Sequence, residues 1–149
     1  AWELRLNPAP YCANRNLRSA GGHIHVGMDM NSTDAVRLVR MMDAVLGSWA
    51  TIVDKDTRRK ELYGRPGAMR FKPYGVEYRT VSNFWLKTVE NISIAYRLAS
   101  RCTQLIKQSD ASEHMDKILK MFKHNDTNIA KNLLEEYMGS DFMEELPGV

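Results

Sequence analysis

The sequence predicts an α+β fold, in which a small, largely antiparallel sheet is covered on one face by long helices. Polar and apolar residues alternate over 23–28 and 76–81, a pattern typical of half-buried strands. Apolar residues spaced three and four apart run through 35–53 and 89–106, and this spacing is typical of amphipathic helices.

The strands are expected to be short. They are predicted at His23–Met28, Met69–Lys72 and Val76–Val81, with Pro73-Tyr74-Gly75 as the turn between the last two. On the first strand, Ile24, Val26 and Met28 are expected to face the core because side chains alternate between the two faces of a sheet.

The first long helix follows three N-cap candidates, Ser32, Thr33 and Asp34, and its apolar stripe leaves Asp43 on the polar side. A second long helix is predicted from about 84–87 to about Gln108. One face of it carries the apolar residues Val89, Ile92, Ala95, Ala99, Cys102 and Ile106.

Two further helices are predicted at 115–122 and 129–138, with Gly139 as the stop after the second. The link between them is short, which favours an antiparallel helical hairpin.

Charge divides the chain into two parts. Residues 1–108 carry 17 Lys+Arg against 9 Asp+Glu, whereas residues 109–149 carry 4 against 9. The basic part favours an anionic ligand such as a nucleotide or a phosphate. We therefore expect a catalytic domain at 1–108 and a C-terminal helical hairpin at 109–149.

Composition excludes several classes of protein. No apolar run approaches the roughly 20 residues that span a membrane, and no secretory signal pattern is present. Cys12 and Cys102 are too few for a disulfide framework, so we interpret them as reduced thiols of a cytoplasmic protein. The basic residues have no aromatic stacking pattern or known fold motif around them, which disfavours nucleic acid as a partner.

The first motif that carries chemistry is Gly21-Gly22-His23-Ile24-His25-Val26-Gly27. On a strand, His23 and His25 project from one face, about 6.5–7 Å apart. Two imidazoles in that position can hold a metal ion and a phosphate side by side, and the glycines allow a ligand to approach the backbone. The alternative is a pair of half-buried histidines that make ordinary hydrogen bonds.

The second motif combines Arg70-Phe71-Lys72 with Val76-Glu77-Tyr78-Arg79. Alternation places Arg70 with Lys72, and Glu77 with Arg79, on shared faces. A carboxylate is a ligand that Mg²⁺ prefers, and arginine grips phosphate or carboxylate through two parallel hydrogen bonds. The alternative is an exposed, salt-bridged strand pair of little energetic value.

Together the two motifs resemble the glutamine synthetase superfamily, in which a His-x-His strand is followed by an Arg-containing strand and a Glu-x-Arg strand. The resemblance is closest to the phage-type COOH-NH2 ligases (amidoligases), C-terminal part. It is carried by LRSAGGHIHVG at 17–27 and YGRPGAMRFKPYGVEYRTVSNFWL at 63–86, and it covers roughly residues 1–90.

The resemblance implies a glutamine synthetase-like catalytic half and an ATP-dependent carboxylate–amine ligase that acts through an acyl phosphate. The implied cofactors are ATP and Mg²⁺ (or Mn²⁺), and the substrates are a carboxylate and an amine. The resemblance implies metal binding for His23 and Glu77, and binding of the acyl substrate or the transferring phosphate for Arg70 and Arg79. It implies that His25 contacts the nucleotide phosphate. Arg65 and Lys72 are implied anion contacts, with Arg58 and Arg59 as weaker candidates.

One departure from the superfamily pattern concerns carboxylates. Members carry further metal-binding acids on earlier strands, but Glu3 is the only acid before His23 in this sequence. We therefore expect a fragment whose missing ligands come from residues before Ala1 or from a neighbouring subunit. Such a short chain should bind nucleotide weakly and should not turn over alone.

Two rival functions stay open at this point. One is a non-catalytic, ligase-like structural or binding module of a phage particle. The other is a metal-dependent hydrolase that uses the His-x-His pair with Glu77 or Asp29. The expected location is the cytoplasm of an infected bacterial host, or the virion.

Overall fold

The computed structural model describes residues 21–56, 59 and 63–147. They form an α+β fold, as the sequence predicts, with one three-stranded antiparallel sheet. The strands are β1 (Ile24–Gly27), β2 (Met69–Lys72) and β3 (Gly75–Tyr78), and β3 lies in the centre, in the order β1-β3-β2. All three strands fall within one or two residues of the predicted positions, apart from the end of β3, which stops at Tyr78.

The helices follow the predicted order. They are α1 (Ser32–Met42), α2 (Ser48–Val53), α3 (Val89–Leu105), α4 (Met115–His124), α5 (Thr127–Met138) and α6 (Ser140–Glu145). A π-helical segment, Asp43–Gly47, joins α1 to α2, and 3₁₀ turns lie at Asn83–Leu86 and Ala111–His114. None of the described helices is both long and apolar enough to cross a membrane.

The apolar side of the sheet packs against α1. Val76 and Tyr78 of β3 are fully buried, and Ile24 and Val26 of β1 pack against the same core. The remaining side chains of each strand point to the opposite, polar face of the sheet, away from α1, because side chains alternate along a strand.

The start of α1 differs slightly from the predicted one. Asn31 is the N-cap, and its side-chain oxygen accepts a hydrogen bond from the backbone N–H of Asp34 at 2.8 Å. Ser32, Thr33 and Asp34 form the first turn, where the negative charge of Asp34 suits the positive end of the helix dipole.

The predicted apolar face of the second long helix is wrong at its N-terminal end. Val89 is 84% exposed and Ile92 is 42% exposed, whereas Ile94 and Leu98 are buried. The helix packs mainly on α1, on the 3₁₀ turn at Asn83–Leu86 and on the π-helical segment, and the side chains of Val89 and Ile92 lie outside these contacts with the core. The spacing of apolar residues alone cannot show which turns of a helix pack against other elements.

The C-terminal helices form a longer arrangement than the predicted hairpin. Only Asn125 and Asp126 separate α4 from α5, and Gly139 ends α5 with φ 88°, as predicted. The additional helix α6 follows at once. One continuous cluster of buried hydrophobic side chains includes residues from α1 to α6, and α5 packs chiefly against α2.

A substitution at Gly75 tests the close approach of β3 to β1. Gly75 has φ 147°, and a Cβ there would lie 2.1 Å from the carbonyl oxygen of Val26. We expect Gly75→Ala to lower the free energy of unfolding by more than the ~1–3 kcal/mol that an unfavourable backbone conformation costs alone. Chemical denaturation measures the change.

The matched control is Gly139→Ala. Gly139 also has a positive φ, of 88°, but a Cβ there would meet no atom within 4 Å. This variant isolates the backbone cost without the clash. Equal losses for the two variants would show that β1 and β3 are not packed as closely as described.

Candidate active site

The strand register brings the predicted residues to one face of the sheet. His25 on β1 and Arg70 on β2 both pair with Glu77 on the central strand β3. Cross-strand partners project from the same face, and residues two positions away share it. The polar face therefore carries all six predicted strand residues: His23, His25, Arg70, Lys72, Glu77 and Arg79.

Glu77 is the centre of this face. Its side chain is only 4% exposed, and four basic side chains surround the carboxylate. The contacts are His23 Nδ1 to Oε1 at 2.8 Å, Lys72 Nζ to Oε2 at 3.3 Å, Arg70 Nη1 to Oε2 at 3.6 Å and Arg79 Nε to Oε1 at 3.6 Å. We call these five residues the Glu77 cluster.

The Glu77 cluster holds more positive than negative charge. Arg70, Lys72 and Arg79 are cations, and Glu77 is the only acid that forms an ion pair with them among residues 21–56, 59 and 63–147. Such an excess attracts a further anion, since the three cations share one carboxylate. The arrangement differs from the exposed salt-bridged pair that the sequence left open.

The electrostatics fix the protonation states. Burial alone raises the pKa of Glu77, but the hydrogen bond from Lys72 and the charges of Arg70, Lys72 and His23 outweigh it, so its pKa is lowered. Burial and the nearby Arg79 charge lower the pKa of His23, against the opposing effect of Glu77. Near neutral pH the site therefore holds an ionised carboxylate beside a neutral imidazole.

The remaining predicted residues lie around the Glu77 cluster rather than in it. His25 is exposed, and its Nδ1 forms a very short hydrogen bond with the hydroxyl of Tyr74, whose ring stacks on it. Arg65 is exposed, and its backbone carbonyl accepts a hydrogen bond from Thr80 Oγ1 at 3.2 Å. Neither of these two side chains forms an ion pair with Glu77. Arg58 and Glu3 lie outside the described residues.

Arg59, a weaker candidate for an anion contact, also makes structural contacts. Its guanidinium donates hydrogen bonds to the carbonyl oxygens of Thr80 and Val81, both at 3.2 Å. These bonds hold the chain just after β3. Asp29, which the hydrolase alternative invoked, is exposed and forms no ion pair with the Glu77 cluster within the part of the chain described.

Sequence reasoning missed Asp43, which lies beneath this site. Asp43 is 3% exposed, and its carboxylate accepts hydrogen bonds from Tyr78 Oη at 2.9 Å and from the backbone N–H of Gly67 at 2.5 Å. It therefore ties the loop before β2 to the central strand. Asp43 begins a π-helical turn in which every residue is buried, so the helix has no solvent-facing polar side at this point.

His23 and Glu77 bring two possible metal ligands close together in the Glu77 cluster. His23 Nδ1 and Glu77 Oε1 are 2.8 Å apart. Adjacent ligands of an octahedral Mg²⁺ ion, each at about 2.0–2.1 Å, stand about 3 Å apart. The two donors therefore fit one ion, and phosphate oxygens and water complete the coordination in sites of this kind.

Another group of possible metal ligands lies far along the chain. Glu113, His114 and Glu136 bring their ligand atoms within 4.8 Å of one another. His114 Nε2 lies 2.8 Å from the Glu136 carboxylate, so an ion pair joins two of the three residues, as an ion pair of the same length joins His23 to Glu77.

An open cleft of about 410 Å³ adjoins the Glu77 cluster on the side of β1. It lies between the outer edge of β1 and the helix α3, with Trp85 at its border. His23 and His25 line both the cleft and the polar face of the sheet. The two spaces therefore form one connected site.

The fold and the site define an α+β protein with a cationic face built around the buried Glu77 carboxylate, an arrangement suited to phosphate and carboxylate ligands. A family model described as "Phage phiEco32-like COOH.NH2 ligase-type 2" matches residues 15–145, and the chain belongs to this family. The match extends through the C-terminal helices, beyond the residues 1–90 that carry the sequence resemblance. No curated protein and no solved structure matches the chain.

Proposed function

We propose that this protein is an ATP-dependent carboxylate–amine ligase that acts through an acyl phosphate. The observation that carries the proposal is the Glu77 cluster, in which one ionised carboxylate and one neutral histidine stand among three cations. Membership of a COOH.NH2 ligase family supports the same reaction class.

The reaction has two steps. A carboxylate oxygen of the acid attacks the γ-phosphorus of ATP, the bond to the bridging oxygen breaks, and ADP leaves. The amine then attacks the acyl carbon, loses a proton and expels inorganic phosphate. Activation is needed because a carboxylate has no good leaving group, whereas an acyl phosphate has one.

The cations of the Glu77 cluster suit the first step. Negative charge is spread over the γ-phosphoryl oxygens during transfer, and fixed positive groups stabilise it. We assign Arg70 and Arg79 to the transferring phosphoryl group and the acid, and Lys72 to the nucleotide phosphates. Arg70 is the most accessible of these, with its side chain 53% exposed.

His23 and Glu77 are assigned to the metal ion, Mg²⁺ or Mn²⁺, which would neutralise phosphate charge when bound. A neutral imidazole is the form that binds a metal, and the lowered pKa of His23 favours that form. The Glu77 carboxylate is held in place by its three cationic neighbours before any ligand arrives, so little reorganisation is needed on binding.

His25 and Arg65 are assigned to the outer part of the nucleotide site. The hydrogen bond and ring contact with Tyr74 fix the orientation of His25. Arg65 stands in the loop that Asp43 anchors through Gly67. Both side chains are exposed, which leaves them free to contact phosphate.

The number of carboxylates argues for further ligands from outside the described residues. Sites that transfer phosphoryl groups commonly use more than one metal ion, and each needs oxygen ligands. We propose that residues before His23, a longer gene product or a neighbouring subunit supply them. The protein would act in the host cytoplasm or within the virion.

The test is hydroxamate formation by the full gene product. ATP, MgCl2, hydroxylamine and a panel of free carboxylic acids are mixed with the protein, and coloured iron–hydroxamate complexes report acyl phosphates trapped by hydroxylamine. We expect acid-dependent hydroxamate and an equal amount of phosphate, both lost without Mg²⁺. The 149-residue chain assayed beside any longer product should be the weaker of the two.

A folded protein that binds nucleotide but yields neither hydroxamate nor phosphate would contradict the ligase assignment. That result would favour the non-catalytic, ligase-like module of a phage particle. Phosphate release without hydroxamate would instead indicate a nucleotide hydrolase.

A further inference from the structure

The cleft beside β1 has the size and the lining of a binding site for an organic ligand. Its volume of about 410 Å³ falls within the roughly 300–1,000 Å³ typical of ligand pockets. The helix α3 forms one wall with Ile92, Ala95, Tyr96 and Ala99, and β1 forms the other.

The β1 wall presents backbone groups that no described strand pairs with. The N–H of Met28 donates to the carbonyl of Tyr74 across the β1–β3 ladder, and Val26 belongs to the same hydrogen-bonded set. In an antiparallel pair these sets alternate, so the N–H and C=O groups of His25 and Gly27 point away from β3 into the cleft. Within the described ranges, no strand pairs with this edge.

The α3 wall presents apolar side chains that no described element covers. Ile92 is 42% exposed and Tyr96 is 75% exposed. An open strand edge opposite apolar side chains is the arrangement that binds an extended peptide as an additional strand. The backbone supplies hydrogen bonds, and alternate side chains of the peptide fill the apolar wall.

Charge fixes the direction of such a peptide. An antiparallel strand added to β1 ends at the Ile24 side, next to His23 and the Glu77 cluster. A parallel strand would end beside Gly27, where the cation in register is Lys72, two strands away. The antiparallel direction therefore brings a C-terminal carboxylate to the place where the proposed reaction would activate it.

We infer that the acid substrate is a peptide with a free C-terminal carboxylate, bound in extended form between β1 and α3 as a fourth strand of the sheet. This inference rests on the proposed function, because it assigns the reacting carboxylate to the C-terminus of that peptide. The four residues of β1 span about 13 Å, which limits recognition to about four peptide residues.

The test measures binding of a fluorescein-labelled peptide, Ala-Val-Leu-Val-Ala, by fluorescence anisotropy with the full gene product. We expect the peptide with a free C-terminal carboxylate to bind at least ten times more tightly than the same peptide with a C-terminal amide. It should also bind at least ten times more tightly than hexanoate, which is measured as a competitor. Ala99→Trp fills the cleft and Tyr96→Ala removes its exposed apolar wall, so each should weaken binding at least tenfold. Leu119→Ala, an exposed position on α4, is the control.

Amide hydrogen exchange provides the second readout. Peptide should slow the exchange of the His25 and Gly27 amides, which point into the cleft, more than that of β2 amides. Full protection of these two amides without peptide would overturn the inference, because the edge would then be occupied by the protein itself.

Equal binding of acid and amide, or binding insensitive to Ala99→Trp, would also overturn it. Binding of ADP with Mn²⁺ is measured in the same samples. If nucleotide binds but peptide does not, the substrate class is wrong and the proposed ligase function stands; if neither binds, both fail.

Discussion

Glu77→Gln is expected to lower acid-dependent hydroxamate formation by about a hundredfold or more, in the range found when one group that stabilises a charged transition state is removed. Glutamine keeps the shape of the side chain but removes the negative charge. Arg70, Lys72 and Arg79 then lose their shared partner, and the proposed metal ion loses its only ionised ligand in the Glu77 cluster.

The pattern of the loss is more specific than its size. ADP without metal should bind the variant at least as tightly as it binds the wild type, because the three cations remain and the carboxylate that repels the phosphates is gone. The improvement in binding that Mg²⁺ gives should disappear. Glu145→Gln removes an exposed partner of Arg97 at 2.9 Å and serves as the control. Unchanged metal dependence in Glu77→Gln would contradict the assignment.

Asp43→Asn is expected to change how stability depends on pH. Burial raises the pKa of Asp43 from 3.8 to about 7, against the hydrogen bonds from Tyr78 and Gly67. The folded protein holds this proton more tightly than the unfolded chain, so the stabilisation is complete below pH 3.8 and is lost as pH rises through 7.

The wild type should therefore lose about 2.5 kcal/mol of unfolding free energy relative to Asp43→Asn between pH 5 and pH 8. Urea denaturation at the two pH values measures the difference.

The control is Asp110→Asn. Burial raises the pKa of Asp110, but the Ser112 N–H and the charges of Arg40 and Arg37 outweigh it, so its pKa is lowered. Its effect therefore falls below pH 3.8, outside this range. Parallel curves for the wild type and Asp43→Asn would contradict the buried position.

Local pattern was enough to predict the sheet and the polar face. Alternation assigned His23, His25, Glu77 and Arg79 to one side of two strands, and the register of the structure confirms that they share a face. Alternation is a property of single strands, so it predicts sidedness without any knowledge of the neighbours.

The contacts within the site depended on tertiary structure. Alternation shows which face a side chain lies on but not which neighbours it contacts. The sequence therefore could not show that four basic side chains contact Glu77, or that His25 forms a hydrogen bond with Tyr74. Asp43 was assigned to a polar helix face by regular 3.6-residue spacing. The whole segment Asp43–Gly47 is buried by neighbouring elements, which the spacing within one helix cannot show.

The exposed start of α3 has a similar explanation. The spacing of Val89 and Ile92 marks an apolar face, but only the path of the chain shows that this face projects past the core and borders the cleft. The exposed part of this apolar face is therefore the surface on which the peptide inference depends.

The binding of Mn²⁺ in the presence of ADP tests the central claim most directly. Electron paramagnetic resonance of free Mn²⁺ measures uptake by the full gene product, with Glu77→Gln and Glu145→Gln beside it. We expect uptake that requires ADP, that is lost in Glu77→Gln and that is unchanged in Glu145→Gln. Equal ADP-dependent uptake by the wild type and Glu77→Gln would contradict a metal–nucleotide site at the Glu77 cluster.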